Sequence, residues 1–460
     1  MRRTFAGLAV VAALVAAGCS DSGSDSGPLE EAGACPVAEL AKATSPVEIT
    51  FWHTMSANNG TTLEKLVDEY NGSQDKVKVN LVFQGTYDEV AEKYQTGLRG
   101  GTLPNLVMLE ETRTQPMIDS ESMVPVQTCI DADKYSLDDF LPAAVSEYTV
   151  DGRLWPMPFN VSGPVLFYNT QAFEKADLDS NDPPTTFDEM LEAARALKAA
   201  KAATTGIALA TRPWYFEQFY AKAGQPIVDN DNGRSGRATE SQLEDEVGLD
   251  ALAFMRKAMK EGLAVNVGSN ASESDNILAL GSGAAAMTIG TSAAIGTIYA
   301  VKDQGQFKNV GVGVAPMPGP TSSKGGVYAG GSALWLVGKD TSGLERAATW
   351  DFLKFLDQPS SQVTWHIGSG YTPIRKSAID DPAIKDLWQR RPAYRVAYDQ
   401  LLASKSGDGP VIGPYAQVRD AIERALEQVL LEDADPKDAL REASDTANEQ
   451  LGSYNDRVGD

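Results

Sequence analysis

The sequence predicts an α/β protein built on largely parallel sheets, with room for two domains. Strand-like segments alternate with amphipathic helical segments, the order that produces βαβ units. The chain has 460 residues, more than one ordinary domain but within two large ones. Hydrophobic residues make up 42% of the chain, which is enough for sizeable cores.

The amino-terminal part shows the alternation most clearly. The predicted strands there are 47–53, 76–85 and 103–110. Between the first two, TTLEKLVDEYN predicts a helix that presents Leu63, Leu66, Val67 and Tyr70 on one face. The stretch YDEVAEKYQTGLRGG predicts a second helix before the third strand.

The later part continues the same alternation. GIALA, GAAAMTIG and NVGVGVAPMPG predict strands, whereas LDALAFMRKAMKEGL, LERAATWDFLKFL and AQVRDAIERALEQVLL predict helices. In PPTTFDEMLEAARALK, Thr186 and Glu189 have the spacing of a capping box at a helix start. The polar segment 224–237 contains DNDNG, which superficially resembles a calcium-binding loop. The third carboxylate and the glycine do not occur at the positions that the EF-hand spacing requires, so the segment predicts a surface turn.

The charge and histidine content exclude several classes of function. The net charge of −23 would repel nucleic acid and anionic lipid surfaces, so we expect no nucleic-acid partner. An anionic ligand must then be held by a local site. With only His53 and His366, histidine-based metal or triad chemistry has little to work with, and no cofactor or metal is expected.

The amino terminus has the pattern of an export signal. Residues 1–18 carry two arginines, an apolar stretch and small residues before Cys19. The run AAGC resembles a bacterial lipobox, with Ala16 where leucine is usual, so Cys19 is the expected lipidation site. Domain assignment gives 19–44 to the lipidated cysteine and a flexible tether, since SDSGSDSGPLEEAG has no apolar face. The alternative is a plain cleaved signal peptide with an incidental cysteine.

The two remaining cysteines form a candidate disulfide. If Cys19 carries lipid, Cys35 and Cys129 are left as a pair, and an even number in an exported chain favours a bridge. It would join the start of the folded region, near CPVAEL, to the segment PVQTC. Two unpaired buried thiols are the alternative.

Four segments together resemble a known family. They are FYNTQAFEKADLDSNDPPTTFDEMLEAARALK, GSGAAAMTIGTSAAI, YAGGSALWLVG and WHIGSGYTPIRKSAI. In this order, behind AAGC, they are similar to the family 1 extracellular solute-binding proteins of ABC importers, and the resemblance covers about residues 47–455. FWHTM, PFNVSGPVLFYN and GGSALW look most like the members that bind sn-glycerol 3-phosphate and related glycerophosphodiesters.

The resemblance implies a two-lobed, periplasmic-binding-protein-like fold of type II with a ligand cleft between hinged lobes. The chain would cross between lobes near residues 170, 315 and 356. The expected amino-terminal lobe is 45–170 plus 315–356, and the expected carboxy-terminal lobe is 171–314 plus 357–460. A lipoprotein on the outer face of the cytoplasmic membrane would then capture a small polar solute and deliver it to permease and ATPase subunits.

The resemblance also implies a set of ligand-binding residues. Arg419 would hold a phosphate, because a guanidinium makes two parallel charge-assisted bonds. Ser162 and the backbone around Gly331 would donate to ligand oxygens, and Tyr371 would donate its phenol. Ser292, together with Thr291, would form an anion site at a helix start.

A glycerol moiety would be held on the other side of the same cleft. Tyr87 and Glu111 would contact its hydroxyls, although Glu110 is an alternative to Glu111. Trp214 would stack on the apolar edge of the ligand. Relatives that bind the monoester carry a second tryptophan nearby, where this chain has Thr211, Arg212 and Pro213, so a wider pocket for a diester such as glycerophosphocholine is also open.

Two other functions compete with this prediction. A binder of neutral, maltose-like oligosaccharides would use the same fold. A secreted hydrolase of glycosides or phosphodiesters would need a catalytic carboxylate pair or a GxSxG motif, and the sequence shows neither, so we expect no enzyme activity.

Overall fold

The described residues form two large β-sheets, each with its own hydrophobic core, and one small two-stranded sheet. The computed structural model describes residues 34–269, 274–320, 325–404 and 408–459. The predicted signal peptide and Cys19 lie outside these ranges. Among the described helices, none combines the length and hydropathy needed to cross a bilayer.

The strands of the described residues are β1 (Val47–His53), β2 (Val77–Phe83), β3 (Leu106–Glu110), β4 (Met123–Val124), β5 (Thr149–Val150), β6 (Arg153–Leu154), β7 (Met157–Ser162), β8 (Pro164–Asn169), β9 (Thr205–Leu209), β10 (Ala264–Asn266), β11 (Ala285–Thr291), β12 (Val312–Pro316) and β13 (Gly330–Val337).

The α-helices are α1 (Ala57–Ser73), α2 (Tyr87–Leu98), α3 (Thr114–Asp119), α4 (Val126–Asp133), α5 (Pro142–Glu147), α6 (Thr170–Lys175), α7 (Phe187–Ala199), α8 (Pro213–Ala223), α9 (Asp229–Gly233), α10 (Glu246–Lys260), α11 (Asp275–Ser282), α12 (Ala294–Asp303), α13 (Gly343–Leu356), α14 (Pro359–Ser369), α15 (Pro382–Arg390), α16 (Ala393–Ala403), α17 (Tyr415–Glu432) and α18 (Pro436–Val458). Short 3-10 helices cover Val37–Lys42, Glu111–Arg113 and Lys376–Asp380.

The predicted helical patterns are present in detail. In α1, Leu63, Leu66, Val67 and Tyr70 are all buried. The capping box of α7 is confirmed, because the Thr186 side chain accepts from the Glu189 N–H and the Glu189 carboxylate accepts from the Thr186 N–H. In α9, which contains DNDNG, residues 230–232 all take left-handed backbone angles, as a tight polar turn requires.

The prediction of largely parallel sheets is wrong. The first sheet has the order β2-β1-β3-β13-β4, with β7 also paired to β13, and the second has the order β10-β9-β11-β8-β12. β1 runs parallel to β2 and β3, and β9 runs parallel to β10 and β11. β13 and β8, however, are antiparallel to all their partners. These two strands enter their sheet directly from the other sheet, so no βαβ crossover dictates their direction.

The chain changes sheet at identifiable residues. β7 belongs to the first sheet and β8 to the second, so the first change comes at Gly163. β12 belongs to the second sheet and β13 to the first, so the second change lies between Pro316 and Gly330. Trp365, Tyr371 and Ile374 are buried in the first core. The chain up to Ile374, beyond the sequence-based boundary near 356, therefore still packs with the first sheet, because α14 packs against α1.

The start of the described chain is pinned to the first core. Cys35 and Cys129 form the disulfide that the cysteine count favours. The Arg346 guanidinium also donates to the Ala34 carbonyl oxygen at 2.7 Å. Val37 and Leu40, in the 3-10 helix that follows, pack on the same core. Residues 34–44, assigned to the tether from sequence, thus belong to the folded body.

Candidate ligand-binding cleft

A cleft runs between the two sheets and is lined by both. Its centre is a cavity of ≈ 40 Å³, hereafter the central cavity. The residues around it are Tyr87, Glu110, Glu111, Ser162, Arg212, Trp214, Thr291, Gly331, Tyr371 and Arg419. Several of them directly follow a strand, the usual location of ligand sites in α/β folds.

Seven of the eight residues expected to bind ligand lie around this cavity. Ser292 does not. It is fully buried, its N–H donates to the Gly163 carbonyl oxygen at 2.9 Å, and its hydroxyl accepts from the Gly163 N–H at 3.1 Å. Ser292 therefore braces the residue where the chain changes sheet, and α12 begins only at Ala294. The neighbouring Thr291 faces the cavity in its place.

Arg419 is held by the side chains of Glu217, which is buried, and Glu111, which is mostly buried. Its Nε and Nη2 donate to the two carboxylate oxygens of Glu217, each at 2.7 Å, and Nη2 also donates to Glu111 at 3.1 Å. The guanidinium lies over the ring of Tyr415, whose hydroxyl donates to Glu217 at 3.1 Å. The guanidinium is thus pre-oriented and partly neutralised on the cavity wall.

Glu111 makes a longer contact with Arg419 than Glu217 does. Burial raises the pKa of Glu111 to about 8, although Arg419 acts to lower it. The reason is that the loss of solvent around this side chain, together with the negative charges of Glu110 and Glu147, outweighs the attraction of Arg419. Near neutral pH the Glu111 carboxyl is therefore largely protonated.

The question of which glutamate faces the cleft has a structural answer. Strand β3 ends at Glu110 and a 3-10 helix starts at Glu111, so the alternation of a strand does not continue. Both side chains consequently line the central cavity. Glu111 contacts Arg419, whereas Glu110 accepts from the Thr112 hydroxyl at 3.1 Å.

A hydrogen-bonded triad positions the Tyr87 phenol. The Tyr87 hydroxyl donates to Ser332 Oγ at 3.2 Å, and the Asn160 amide donates to the Tyr87 oxygen at 3.3 Å. Ser332 in turn donates to Asn160 Oδ1 at 2.6 Å. Tyr87 comes from α2, Asn160 from β7 and Ser332 from β13, so the triad joins three elements of the first sheet region behind the cavity.

The backbone of Tyr371 is held by a buried histidine. The indole N–H of Trp388 donates to His366 Nε2 at 2.9 Å, so His366 Nδ1 carries the proton and donates to the Tyr371 carbonyl oxygen at 2.6 Å. Burial lowers the pKa of His366 to about 4, so this neutral form persists at physiological pH. His53 is buried as well, does not line the cleft, and has a pKa lowered to about 4.

Gly331 is required at its position by the backbone. Its φ is +119°, and a Cβ there would collide with the Asn160 carbonyl oxygen in the neighbouring strand.

We expect Gly331→Ala to cost about 1–3 kcal/mol of stability and to weaken ligand binding, because β13 must move away from β7. Chemical denaturation and a ligand titration measure the two effects. Gly72→Ala, at a helical position where a Cβ meets no atom within 4 Å, is the control. Unchanged affinity in Gly331→Ala would contradict this account.

Two wider chambers open from the central cavity. The charged chamber, of ≈ 230 Å³, shares Glu110, Arg212, Trp214 and Arg419 with it. The uncharged chamber, of ≈ 390 Å³, shares Tyr87, Thr291 and Tyr371 with it. The cleft is therefore elongated, and its two ends differ in chemistry.

Sequence reasoning missed Glu217, Asn160 and Ser332. Glu217 lies in α8, where nearly every residue is buried, so a lone carboxylate in PWYFEQFYAKA was the available signal that a cation lies opposite. Asn160 lies within the quoted NVSG, but its role depends on Tyr87 and Ser332 reaching it from distant segments. Among the described residues, no group of histidines, cysteines and carboxylates is arranged to hold a metal ion.

The sequence profile described as bacterial extracellular solute-binding protein matches residues 65–393. The chain belongs to this family. Such solute-binding proteins act outside the cytoplasm, bind small polar solutes, and work with the permease and ATPase of an ABC importer rather than as enzymes.

Curated relatives of this solute-binding protein carry a consistent name. The sn-glycerol-3-phosphate-binding periplasmic protein UgpB of Pectobacterium atrosepticum is 28% identical over 440 residues, which cover 93% of this chain and 96% of the relative. The protein of the same name from Rhizobium meliloti is 28% identical and covers 90% of this chain and 95% of the relative.

Solved structures show the same two-lobed fold. UgpB from Mycobacterium tuberculosis, in complex with glycerophosphocholine, matches with a TM-score of 0.75 at 21% identity, over 90% of this chain and 99% of that one. The cyclic alpha-maltosyl-1,6-maltose binding protein from Arthrobacter globiformis matches with a TM-score of 0.73 at 22% identity, over 89% of this chain and 100% of that one. The solute-binding protein thus has the α/β fold of the periplasmic-binding type.

Proposed function

We propose that this solute-binding protein captures glycerol 3-phosphate or a glycerophosphodiester and delivers it to its importer. The observation that carries the proposal is Arg419, a buried, pre-oriented guanidinium on the wall of the central cavity. The names of the curated relatives support the same ligand class. Arginine is the side chain best suited to a phosphate, because its planar fork matches two phosphate oxygens.

The ligand phosphate would take the place of Glu111 at Arg419. Glu217 keeps its two 2.7 Å bonds and holds the guanidinium plane, while the 3.1 Å contact to Glu111 is exchanged for a phosphate oxygen. The displaced Glu111 carboxyl then lies beside the glycerol hydroxyls. Ser162, Tyr371 and the Gly331 backbone complete the set of donors around the cavity.

This exchange makes binding depend on pH. Below about pH 8 Glu111 is protonated and leaves Arg419 readily, whereas above it the carboxylate pairs with Arg419 and repels the phosphate. The affinity for glycerophosphocholine, whose diester does not titrate in this range, should fall about tenfold from pH 7 to pH 9, following the fraction of protonated Glu111. Isothermal titration calorimetry at both pH values measures the change.

The matched variant for this prediction is Glu111→Gln. It keeps the shape of the side chain and cannot ionise, so its affinity should be the same at both pH values. An equal fall in the variant would show that another group is responsible.

The function itself is tested by a ligand panel. Calorimetry with glycerol 3-phosphate, glycerophosphocholine and maltose should give binding with one or both phosphorylated ligands and none with maltose. Saturating ligand should also raise the melting temperature, because it binds only the folded state. Binding of maltose alone would overturn the proposal.

A neutral oligosaccharide is the second candidate ligand. The observation that favours it is the pairing of Arg419 with both carboxylate oxygens of Glu217, which reduces the positive charge offered to a phosphate. Trp214 and Tyr371 are aromatic surfaces of the kind that pack on sugar rings. The same ligand panel separates the two candidates.

We further propose that the protein is anchored through Cys19 to the outer face of the cytoplasmic membrane. The AAGC run supports lipidation, and two acyl chains suffice for stable attachment. In cells, the wild-type protein should partition with membranes and into detergent, whereas Cys19→Ser should be recovered in the soluble fraction. An unchanged partition of the variant would refute the anchor.

A further inference from the structure

We propose that the uncharged chamber binds a sugar or cyclitol ring, the second alcohol of a phosphodiester whose phosphate lies at Arg419. This inference rests on the proposed function and narrows its ligand to a diester with an uncharged, polyhydroxylated head group. The chamber has a volume of ≈ 390 Å³, against ≈ 40 Å³ for the central cavity. Small-ligand sites in proteins typically occupy about 300–1,000 Å³.

The chamber adjoins the central cavity, where the phosphate would lie. Tyr87, Thr291 and Tyr371 line both the chamber and the central cavity that contains Arg419. The amino-terminal end of α1 forms one wall, and α11 and α12 form the opposite wall. A ring in the chamber would therefore contact both lobes and favour their closure, as transport ligands of this fold must.

The walls of the chamber suit a ring with hydroxyl groups. Of the described residues that line it, none carries a formal charge at neutral pH. Ile277, Leu278 and Phe307 offer apolar surface, and Leu278 is 55% exposed. Asn59 and Gln306 add amides that can both donate to and accept from hydroxyl groups. Sugars and cyclitols present exactly the complementary pair of surfaces: C–H faces and a rim of hydroxyls.

A cationic head group fits the other end of the cleft better. The charged chamber is lined by four carboxyl groups and three guanidinium groups, those of Asp88, Glu110, Asp420, Glu423, Arg113, Arg212 and Arg419, so the acidic groups outnumber the basic ones by one. A quaternary ammonium would find carboxylates there, and none among the described residues of the uncharged chamber. The two ends thus distinguish an uncharged head group from a choline-like one by charge.

The test compares the affinities of phosphorylated ligands for the wild-type protein and for a variant in which a large side chain fills the uncharged chamber. Calorimetry on the full chain should show glycerophosphoinositol binding at least about tenfold more tightly than glycerol 3-phosphate, because only its ring occupies the chamber. Thr297, an exposed chamber residue on α12, is replaced by tryptophan. Thr297→Trp should remove this difference in affinity. The affinity for glycerol 3-phosphate should stay within about twofold of the wild-type value.

Thr96→Trp is the matched control, since Thr96 is also exposed on a helix but does not line the cleft. Leu278→Asp provides a second variant if Thr297→Trp does not fold, and Leu431→Asp is its control. Leu278→Asp should weaken the binding of glycerophosphoinositol and leave the binding of glycerophosphocholine unchanged. Equal affinities for all phosphorylated ligands, unaffected by these variants, would overturn the chamber assignment and leave the proposed function standing. A neutral sugar that binds in a Thr297-dependent way, without binding of any phosphate, would support the chamber and overturn the phosphate function.

Discussion

Replacing Arg419 with alanine is expected to abolish the binding of glycerol 3-phosphate and glycerophosphocholine. Removing one partner of a buried, hydrogen-bonded charge pair costs about 2–5 kcal/mol, or roughly thirty- to several-thousandfold in affinity. Here the phosphate would lose its guanidinium and also meet the carboxylate of Glu217, which Arg419 otherwise neutralises. Calorimetry measures the loss, and a neutral oligosaccharide would be affected far less.

The same change also leaves the buried carboxylate of Glu217 without its cation, so the fold must be monitored separately. Arg419→Lys keeps a positive charge but not the planar fork, and should bind phosphate ligands more weakly than wild type and more tightly than Arg419→Ala. Arg424→Ala removes an exposed arginine from the same helix and should change nothing. If phosphorylated ligands bind Arg419→Ala as well as wild type while its melting curve is intact, the site assignment is wrong.

Loss of the Cys35–Cys129 disulfide should produce the largest change in stability. The bond closes a loop of 94 residues, and removing a native disulfide typically costs about 2–5 kcal/mol. The double variant Cys35→Ser, Cys129→Ser should therefore unfold at lower denaturant concentration. Trp350 and Trp365 are buried in the core that contains both cysteines, so tryptophan fluorescence reports the transition.

Reduction provides the control for this prediction. A thiol reductant should shift the wild-type unfolding midpoint towards that of the double variant and leave the variant itself unchanged. A double variant as stable as the oxidised wild type would show that the segment around the 3-10 helix Val37–Lys42 is held by packing alone.

The local elements of the fold were predictable because their causes are local. The buried face of α1 and the capping box of α7 depend on residues within a few positions of one another, and the structure contains both. Strand direction was not predictable in the same way. β13 and β8 run antiparallel to their partners because the chain arrives from the other sheet, which periodicity does not record.

The residues of the candidate site likewise include some that the sequence indicates and some whose role depends on distant partners. Small residues at strand ends make Ser162 and Gly331 plausible points of ligand approach, but the family resemblance was needed to assign them, like Arg419, to the ligand. Ser292 was assigned to the ligand from its position before a helix, but its hydroxyl is taken by Gly163, 129 residues away. No local pattern indicates such a partner.

The alternation of strands and helices, the caps, the family and the chemical types of residue available to a ligand all follow from the amino-acid sequence. The charge states of these residues and their neighbours depend on how the folded chain packs. Arg419 meets Glu217 across 202 residues and Glu111 across 308. The raised pKa of Glu111 and the difference between the two ends of the cleft arise from burial and from charges that distant segments bring together, so they exist only once the two lobes have packed.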